Sequence, residues 1–326
     1  MIQPFYLERP DRHKNIFPNR DGNCFIRDGT LKNMRMKWLL ALSLLMYACT
    51  QTPAEQPDSF TFLPGEKIAP FEKDEIQEAS GLAASIANKD MLWTHNDSGN
   101  PPEIFLIDQE CEIRLVCKLK DADNRDWEDI AVGPGPDPST NYIYVADIGD
   151  NFAQYPYKIV YRFPEPVLAG QKEKQISIEK YDRIIFRLDT QKDTEALMVH
   201  PVSKDLFIIS KREEPVVLYR LPFPQSLTDT LTAEKVTTIP LSQVVAAGFS
   251  ADGNYILMKN YKNVFFWDVR EDESIAEVLS RPAMVLPYVE EPQGEAICFA
   301  RDGSGYFTVS EKAKGEKIFL RFYKKK

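Results

Sequence analysis

The chain has 326 residues, 43% of them hydrophobic and 11% aromatic, which is the composition of a folded globular protein rather than a disordered one. Its first 48 residues carry eight of the 40 Lys/Arg and four of the 49 Asp/Glu, so the remainder holds 32 basic and 45 acidic side chains, a net charge of −13. That balance argues against nucleic-acid binding, which needs a basic footprint to displace phosphate counterions, and favours a cation or a cationic ligand.

Residues 1–33 are a polar stretch of a kind that a signal peptide does not normally carry, and they read as a non-native upstream extension with the true start at Met34 or Met36. Residues 34–48 supply a positive n-region (Met34-Arg-Met-Lys37) and an eleven-residue apolar run (Trp38–Ala48), with Cys49 directly after small Ala48. The run is too short to span a bilayer as a mature helix and suits an export signal. The segment resembles a bacterial lipoprotein signal, which makes Cys49 the lipidation site, although Tyr47 departs from the usual small residue. An ordinary secretory signal or a short membrane anchor is the competing reading. Residues 49–58 are a Pro-rich polar tether with nothing to bury. Cys111, Cys117 and Cys298 remain, an odd number that makes no disulfide framework, and they read as small core hydrophobes.

From residue 59 onward short apolar runs alternate with turns. A motif of polar residue, Glu or Gly, then a β-prone run recurs at Glu78, Glu128, Glu195, Gly248 and Glu295, with steps of 50, 67, 53 and 47 residues. A period near 50 with several strands per unit is the signature of propeller blades. The predicted strands are Gly81–Ser85, Met91–His95, Glu103–Ile107 and Ile113–Leu119, then Ile130–Val132, Tyr142–Ala146, Lys158–Phe163 and Arg183–Leu188, with an insertion around Pro164–Lys174. Next come Leu197–His200, Leu206–Ser210, Val216–Leu221 and Val236–Ile239, then Gly248–Ser250, Tyr255–Lys259, Val264–Val269 and Met284–Leu286, and finally Ala296–Ala300, Tyr306–Val309 and Ile318–Tyr323. The last unit lacks a fourth strand, so an N-terminal strand, Phe60–Leu63, is expected to close the ring. The fold expected is all-β, a five-bladed propeller over residues 59–326, with six blades as the alternative and no helix of note.

In a blade the first strand lines the channel and the second returns antiparallel, so the start of one and the end of the other share a rim. Glu78 to Asp97 and Glu128 to Asp147 are each 19 residues; Glu195 to Lys211 and Glu295 to Glu311 are each 16; Lys259 is 11 beyond Gly248. Carboxylates so crowded repel one another unless a cation intervenes. A hard oxygen-ligated ion such as Ca²⁺ suits the set Glu78, Asp97, Glu128, Asp147 and Glu295, whereas a water-filled channel with lysine-paired acids is the plain alternative. Zinc fits poorly, since after the signal only His95 and His200 remain and no cysteine pair is present. Glu195, Lys211, Lys259 and Glu311 fall at the same rim, and Asn96, Asp126, Asp150 and Asn151 flank the two richest loops. Trp127, inside the acidic anchor, is the aromatic placed to touch a ligand, while Trp93 and Trp267 read as core. Glu128 or His95 could serve as base to an ion-activated water, and His95 equally as a structural hydrogen-bonder.

The Ser80-Gly-Leu82, Leu92–Gly99, Asp126-Trp-Glu-Asp129, Asp147-Ile-Gly-Asp-Asn151, Glu195-Ala-Leu197 and Gln293-Gly-Glu-Ala296 segments together resemble a family of largely uncharacterised secreted bacterial propeller proteins. More distantly they are similar to phytase-like and gluconolactonase-like propellers, and the likeness runs from about Glu78 to Glu311. It implies Ca²⁺ in the channel and, by extension, hydrolysis of phosphate esters or lactones; Gly248 in place of an acid and the lack of a basic cluster depart from that pattern. The expectation is a monomeric outer-membrane lipoprotein facing the periplasm, anchored only by its lipid. Its role would be a binding or scaffold module, with the Ca²⁺-dependent hydrolase as the alternative.

Overall fold

The structure, a computed structural model, describes residues 61–72, 75–311 and 317–326. The upstream extension, the signal, Cys49 and the tether lie outside the described residues. The first strand among the described residues is β1 (Glu66–Pro70), and the strands form five sheets. Blade one is β2 (Ala79–Ala84), β3 (Leu92–Asn96), β4 (Glu103–Ile107) and β5 (Ile113–Leu119). Blade two is β6 (Trp127–Pro134), β7 (Asn141–Asp147), β8 (Lys158–Pro164) and, after the excursion β9 (Gln175–Ile178), β10 (Asp182–Arg187). Blade three is β11 (Thr194–Val199), β12 (Leu206–Ser210), β13 (Val216–Leu221) and, after the two-residue β14 (Leu231–Thr232), β15 (Glu234–Ile239). Blade four is β16 (Val244–Phe249), β17 (Tyr255–Asn260), β18 (Val264–Asp268) and, after the helix α1 (Ile275–Ser280), β19 (Met284–Leu286). Blade five is β20 (Ala296–Phe299), β21 (Gly305–Val309) and β22 (Phe319–Lys324), completed by β1. The molecule is an all-β propeller of five blades, not six.

The ring closes by N-terminal strand addition, with Glu66–Pro70 as the main strand and the described part of the expected Phe60–Leu63 segment as a short extension of it. β1 pairs antiparallel along β22, and Phe62 bridges Lys325 with Leu63 N donating to Lys324 O and Lys326 N to Thr61 O. The apolar character of Phe62 serves packing: its ring lies edge-on to Tyr306 at 5.2 Å and to Phe266 at 6.1 Å. Two inserted segments leave their own blade and pair parallel on the one before. β9 adds to β5 of blade one, and β14 adds to β10 of blade two. Both cover outer edges that would otherwise expose unpaired backbone groups. α1 is started by a capping box in which Ser274 and Glu277 satisfy each other's backbone N–H.

Flat blades must bury both faces against neighbours, and the described residues form five apolar clusters, one per blade interface. Trp93, Leu106, Trp127, Ile143 and Tyr161 fill the seam between blades one and two. Tyr144, Ile208 and Tyr219 lie between two and three, Phe207, Ile256 and Trp267 between three and four, Leu257, Phe266 and Tyr306 between four and five, and Leu82, Phe105 and Phe307 between five and one. Cys111, Cys117 and Cys298 are free and buried, as small core residues.

The inner strands also touch around the axis, and one carboxylate ties them together. Asp129, on β6, is 2% exposed. Its Oδ1 accepts from Ile130 N at 2.8 Å, its Oδ2 accepts from Leu197 N of β11 at 2.9 Å, and it also accepts from the Ala247 backbone N–H of β16. Replacing it leaves donors of two neighbouring inner strands unsatisfied, and each such buried group costs roughly 1–3 kcal/mol. Asp129→Ala is therefore expected to destabilise the propeller by about 2–4 kcal/mol, seen as a lower denaturant midpoint in urea unfolding; an unchanged midpoint would show that the inner strands do not depend on this tie.

Candidate functional site

The pairing of first and second strands is interrupted at the same point in four blades. The register shifts between Ala79 and Gly81, Trp127 and Asp129, Thr194 and Ala196, and Val244 and Ala246. The extra residues are Ser80, Glu128, Glu195 and Val245, and in blade five Glu295 immediately precedes β20. A bulge re-aims a side chain that a regular ladder would send elsewhere, and here it turns Glu128 and Glu195 into the channel mouth.

A second ring lies two residues earlier: Glu78, Asp126, Asp193, Gln243 and Gln293. A third follows the end of each second strand: Asp97, Ile148, Lys211, Tyr261 and Glu311. The second and third rings are joined by backbone bonds in four blades, from Asp97 N to Glu78 O, Ile148 N to Asp126 O, Lys211 N to Asp193 O and Glu311 N to Gln293 O. The open cavity between these rings, about 340 Å³, is lined by Asp97, Glu128, Glu195, Lys211, Tyr261, Glu295 and Glu311 among others, with Asn151 and Arg212 at the side.

Several residues that the sequence placed at this mouth point elsewhere. Glu78 belongs to the outer ring and is exposed, where its Oε2 accepts from Asn100 at 2.6 Å. Gly248 lies three residues past the true equivalent, Val245, in the lower channel. Asn96 and Asp147 sit one residue short of the third ring and clamp the incoming loop. Asn96 Oδ1 accepts from Gln77 N and Glu78 N, and Asp147 Oδ1 accepts from Asp126 N at 3.0 Å beside Arg125. His95 and Lys259 occupy a position one residue further back, which faces the blade seams. His95 is fully buried, donates from Nδ1 to Asn96 O at 3.0 Å, and lies edge-on to Trp127. Burial lowers its pKa to about 4, so it is neutral, sealed from the mouth, and no base for a water there. Lys259 is likewise fully buried and donates to Gly294 O, with burial lowering its pKa to about 8. Trp127 has no exposed surface; Nε1 donates to Asp123 O, and the ring is a wedge between blades one and two rather than a ligand contact. Asp150 organises its own loop, with its carboxylate accepting from Gln154 N and Tyr155 N. Asn151 reaches the cavity, held by Arg212.

What the mouth does assemble is two acid triads that share Glu128. One oxygen each of Asp97, Asp126 and Glu128 lie within 4.8 Å of one another, and so do those of Glu128, Asp193 and Glu195. Gly149 lets the loop backbone lie against this group, because a Cβ there would collide with Glu128 Oε1 and Asp126 Oδ2. The triads differ in compensation. Lys211 Nζ is 2.7 Å from Glu195 and 3.9 Å from Glu295, and Arg212 Nε is 2.7 Å from Asp193. Among the described residues no Lys or Arg forms an ion pair with Asp97, Asp126, Glu128 or Glu311. Asp193, Arg212, Gln243, Tyr261 and Gln293 were not anticipated from the sequence; Tyr261 donates to Glu295 at 2.5 Å and Gln293 to Glu311 at 2.7 Å.

The electrostatics follow from this crowding. Burial, then Glu195, Asp97 and Asp126, raise the pKa of Glu128 well above the ordinary value. Burial and Glu295 raise Glu311, and burial followed by the other acids raises Asp97 to about 6. Lys211 is held above its ordinary value because Glu195 and Glu295 outweigh the opposing effect of burial. A carboxyl whose folded pKa exceeds its unfolded one stabilises the fold at low pH and loses that contribution as pH rises through the folded value. Cation-free protein is therefore expected to lose stability from the ordinary aspartate value of 3.8 upward through about 6, where Asp97 ionises, and further as the Glu128 and Glu311 protons leave. Melting temperature against pH in chelator checks this, and a flat or rising profile over that range would contradict it.

No family model matches the chain, and no curated protein matches it. Solved structures resemble it distantly. The PQQ-bound form of an aldose sugar dehydrogenase from Streptomyces coelicolor is 9% identical, with 82% of this chain and 99% of that one covered at a TM-score of 0.45. A protein named as an oxidoreductase (glucose dehydrogenase) from Thermus thermophilus is 9% identical over 80% of this chain and 99% of its own, with a TM-score of 0.45 as well. Neither likeness bears on the chemistry of the mouth.

Proposed function

We propose that the protein is a binding propeller of the cell envelope whose channel mouth holds one divalent cation, preferentially Ca²⁺. Asp97, Asp126 and Glu128 are its ligands, in place of the wider set Glu78, Asp97, Glu128, Asp147 and Glu295. The observation that carries this reading is the triad itself: three carboxylates with donor atoms within 4.8 Å of one another and no Lys or Arg in ion-pair contact among the described residues. An all-carboxylate set suits a hard ion that completes its shell with carbonyls and waters. Binding to the folded state adds RT ln(1+[L]/Kd), about 2.7 kcal/mol at a hundredfold excess over Kd. Melting temperature is expected to rise with Ca²⁺ and fall with chelator, and Glu128→Gln to blunt both. A wild type indifferent to both, with no calorimetric heat, would end the proposal.

The hydrolase reading fares less well at this mouth. One bound cation leaves the walls rich in carboxylates, which repel a phosphate ester. A neutral lactone would not be repelled, and turnover abolished by chelator would favour that reading over simple binding.

Cys49 supplies the envelope half of the proposal. It directly follows the positive n-region and the eleven-residue apolar run Trp38–Ala48, a pattern that suits export. Metabolic labelling with a fatty acid is expected to mark the protein, with Cys49→Ala abolishing the label; an unlabelled wild type would refute lipidation.

A further inference from the structure

The two triads that share Glu128 come from the same architecture. Asp126 and Asp193 hold one ring position, and Glu128 and Glu195 hold the bulge position. Both triads meet the same spacing of ligand atoms. Glu128 serves either: it is 4% exposed, it lines the cavity, and its carboxyl meets that of Glu195 while receiving no N–H donor among the described residues. What separates the two is a protein cation. Lys211 is the one basic side chain in the ring where the other blades place Asp97, Ile148, Tyr261 and Glu311. Its side chain is 10% exposed, its ammonium is 2.7 Å from Glu195 and 3.9 Å from Glu295, and it sits 5.5 Å from the centre of the Tyr261 ring. Arg212 also pairs with this triad through Asp193, but its side chain is 50% exposed and can leave for solvent.

We propose that Lys211 fills, as a tethered ammonium, the second of two cation seats in the mouth, and so fixes the capacity of the wild-type protein at one ion. The inference rests on the reading that the Asp97 triad binds Ca²⁺. An ammonium brings one charge and three directional donors, whereas Ca²⁺ brings two charges and an undemanding oxygen shell. Removing the ammonium leaves the carboxylates of Glu128, Asp193 and Glu195 together, with the half-exposed Arg212 paired to Asp193 and the buried Lys158 acting on that same aspartate. A free divalent ion is then the occupant that the carboxylates favour.

The test is Ca²⁺ stoichiometry by calorimetry on the full chain. Wild type is expected to take up one ion and Lys211→Met two. Two double variants separate the seat from bulk charge, because each loses Lys211 and one neighbouring acid. Lys211→Met/Glu295→Gln keeps the triad and should take up two ions; Lys211→Met/Glu195→Gln breaks it and should take up one. The doubles also keep the question answerable if the single variant does not fold, since each restores the charge balance. One ion in wild type and one in both Lys211→Met and Lys211→Met/Glu295→Gln overturns the role of the lysine and leaves the first seat standing. No ion in wild type overturns the reading beneath it; one ion gained by Lys211→Met in that case still assigns the second seat to the lysine.

Discussion

Crowding of carboxylates where the five inner strands begin is the constraint on which the rest of the site depends. Each strand delivers its first side chains to one small mouth, and the chain answers the resulting repulsion in different ways at different depths. Asp147 and Asp193 pair with Arg125 and Arg212, and Glu195 with Lys211. Deeper down, Asp129 has no cation partner among the described residues and is held by backbone N–H groups of its own and two neighbouring inner strands. Among the described residues the Asp97, Asp126 and Glu128 group and Glu311 have no Lys or Arg in ion-pair contact, which leaves them to neutral donors, protons or an ion from outside.

The blade repeat was legible because it rests on burial. A fourfold alternation of apolar runs and turns, repeated every 50 residues or so, admits few other packings, and the strands of all five blades fall where the apolar runs are. The pieces that escaped notice are those whose pairing carries no apolar signature. β9 and β14 are short, largely polar and paired in parallel with a different blade, so nothing in their local pattern distinguishes them from loop. Phe60–Leu63 was legible only in part: Phe62 plugs a seam and bridges Lys325, while the longer closing ladder belongs to the more polar Glu66–Pro70.

The site was legible in kind but not in register. Anchoring the blades on acids gave steps of 50, 67, 53 and 47 residues, whereas the ring of Glu78, Asp126, Asp193, Gln243 and Gln293 steps by 48, 67, 50 and 50. Anchoring on a polar residue two before a small, acidic or β-prone one would have aligned Glu78 with Asp126 and not with Glu128. It would also have exposed Asp193, Gln243 and Gln293. In a strand a slip of one residue reverses the face of a side chain, and the bulge adds such a slip in four blades. Hence Asp147 became a loop clamp, His95 and Lys259 became seam residues, and Trp127 became a wedge, although the last three each lie within two positions of a residue that does face the mouth.

The axis of the propeller changes character below the mouth, and this decides what kind of cation site the protein can have. Past Glu128 and Glu195 the inner strands present Leu82, Ile130, Val132, Leu197, Ala247 and Ile297 to the channel, which encloses about 230 Å³ at the far end. No Asp or Glu lines that section, so a divalent ion entering it would give up water without gaining an anionic ligand. Asp129 offers no way-station, because its oxygens are committed to the backbone of the inner strands. The acidic mouth is therefore a seat above a channel section without carboxylates and not the entrance to a cation conduit. Whatever it binds must arrive and leave by the same rim, past Asn151, Arg212 and the loop that Asp150 organises.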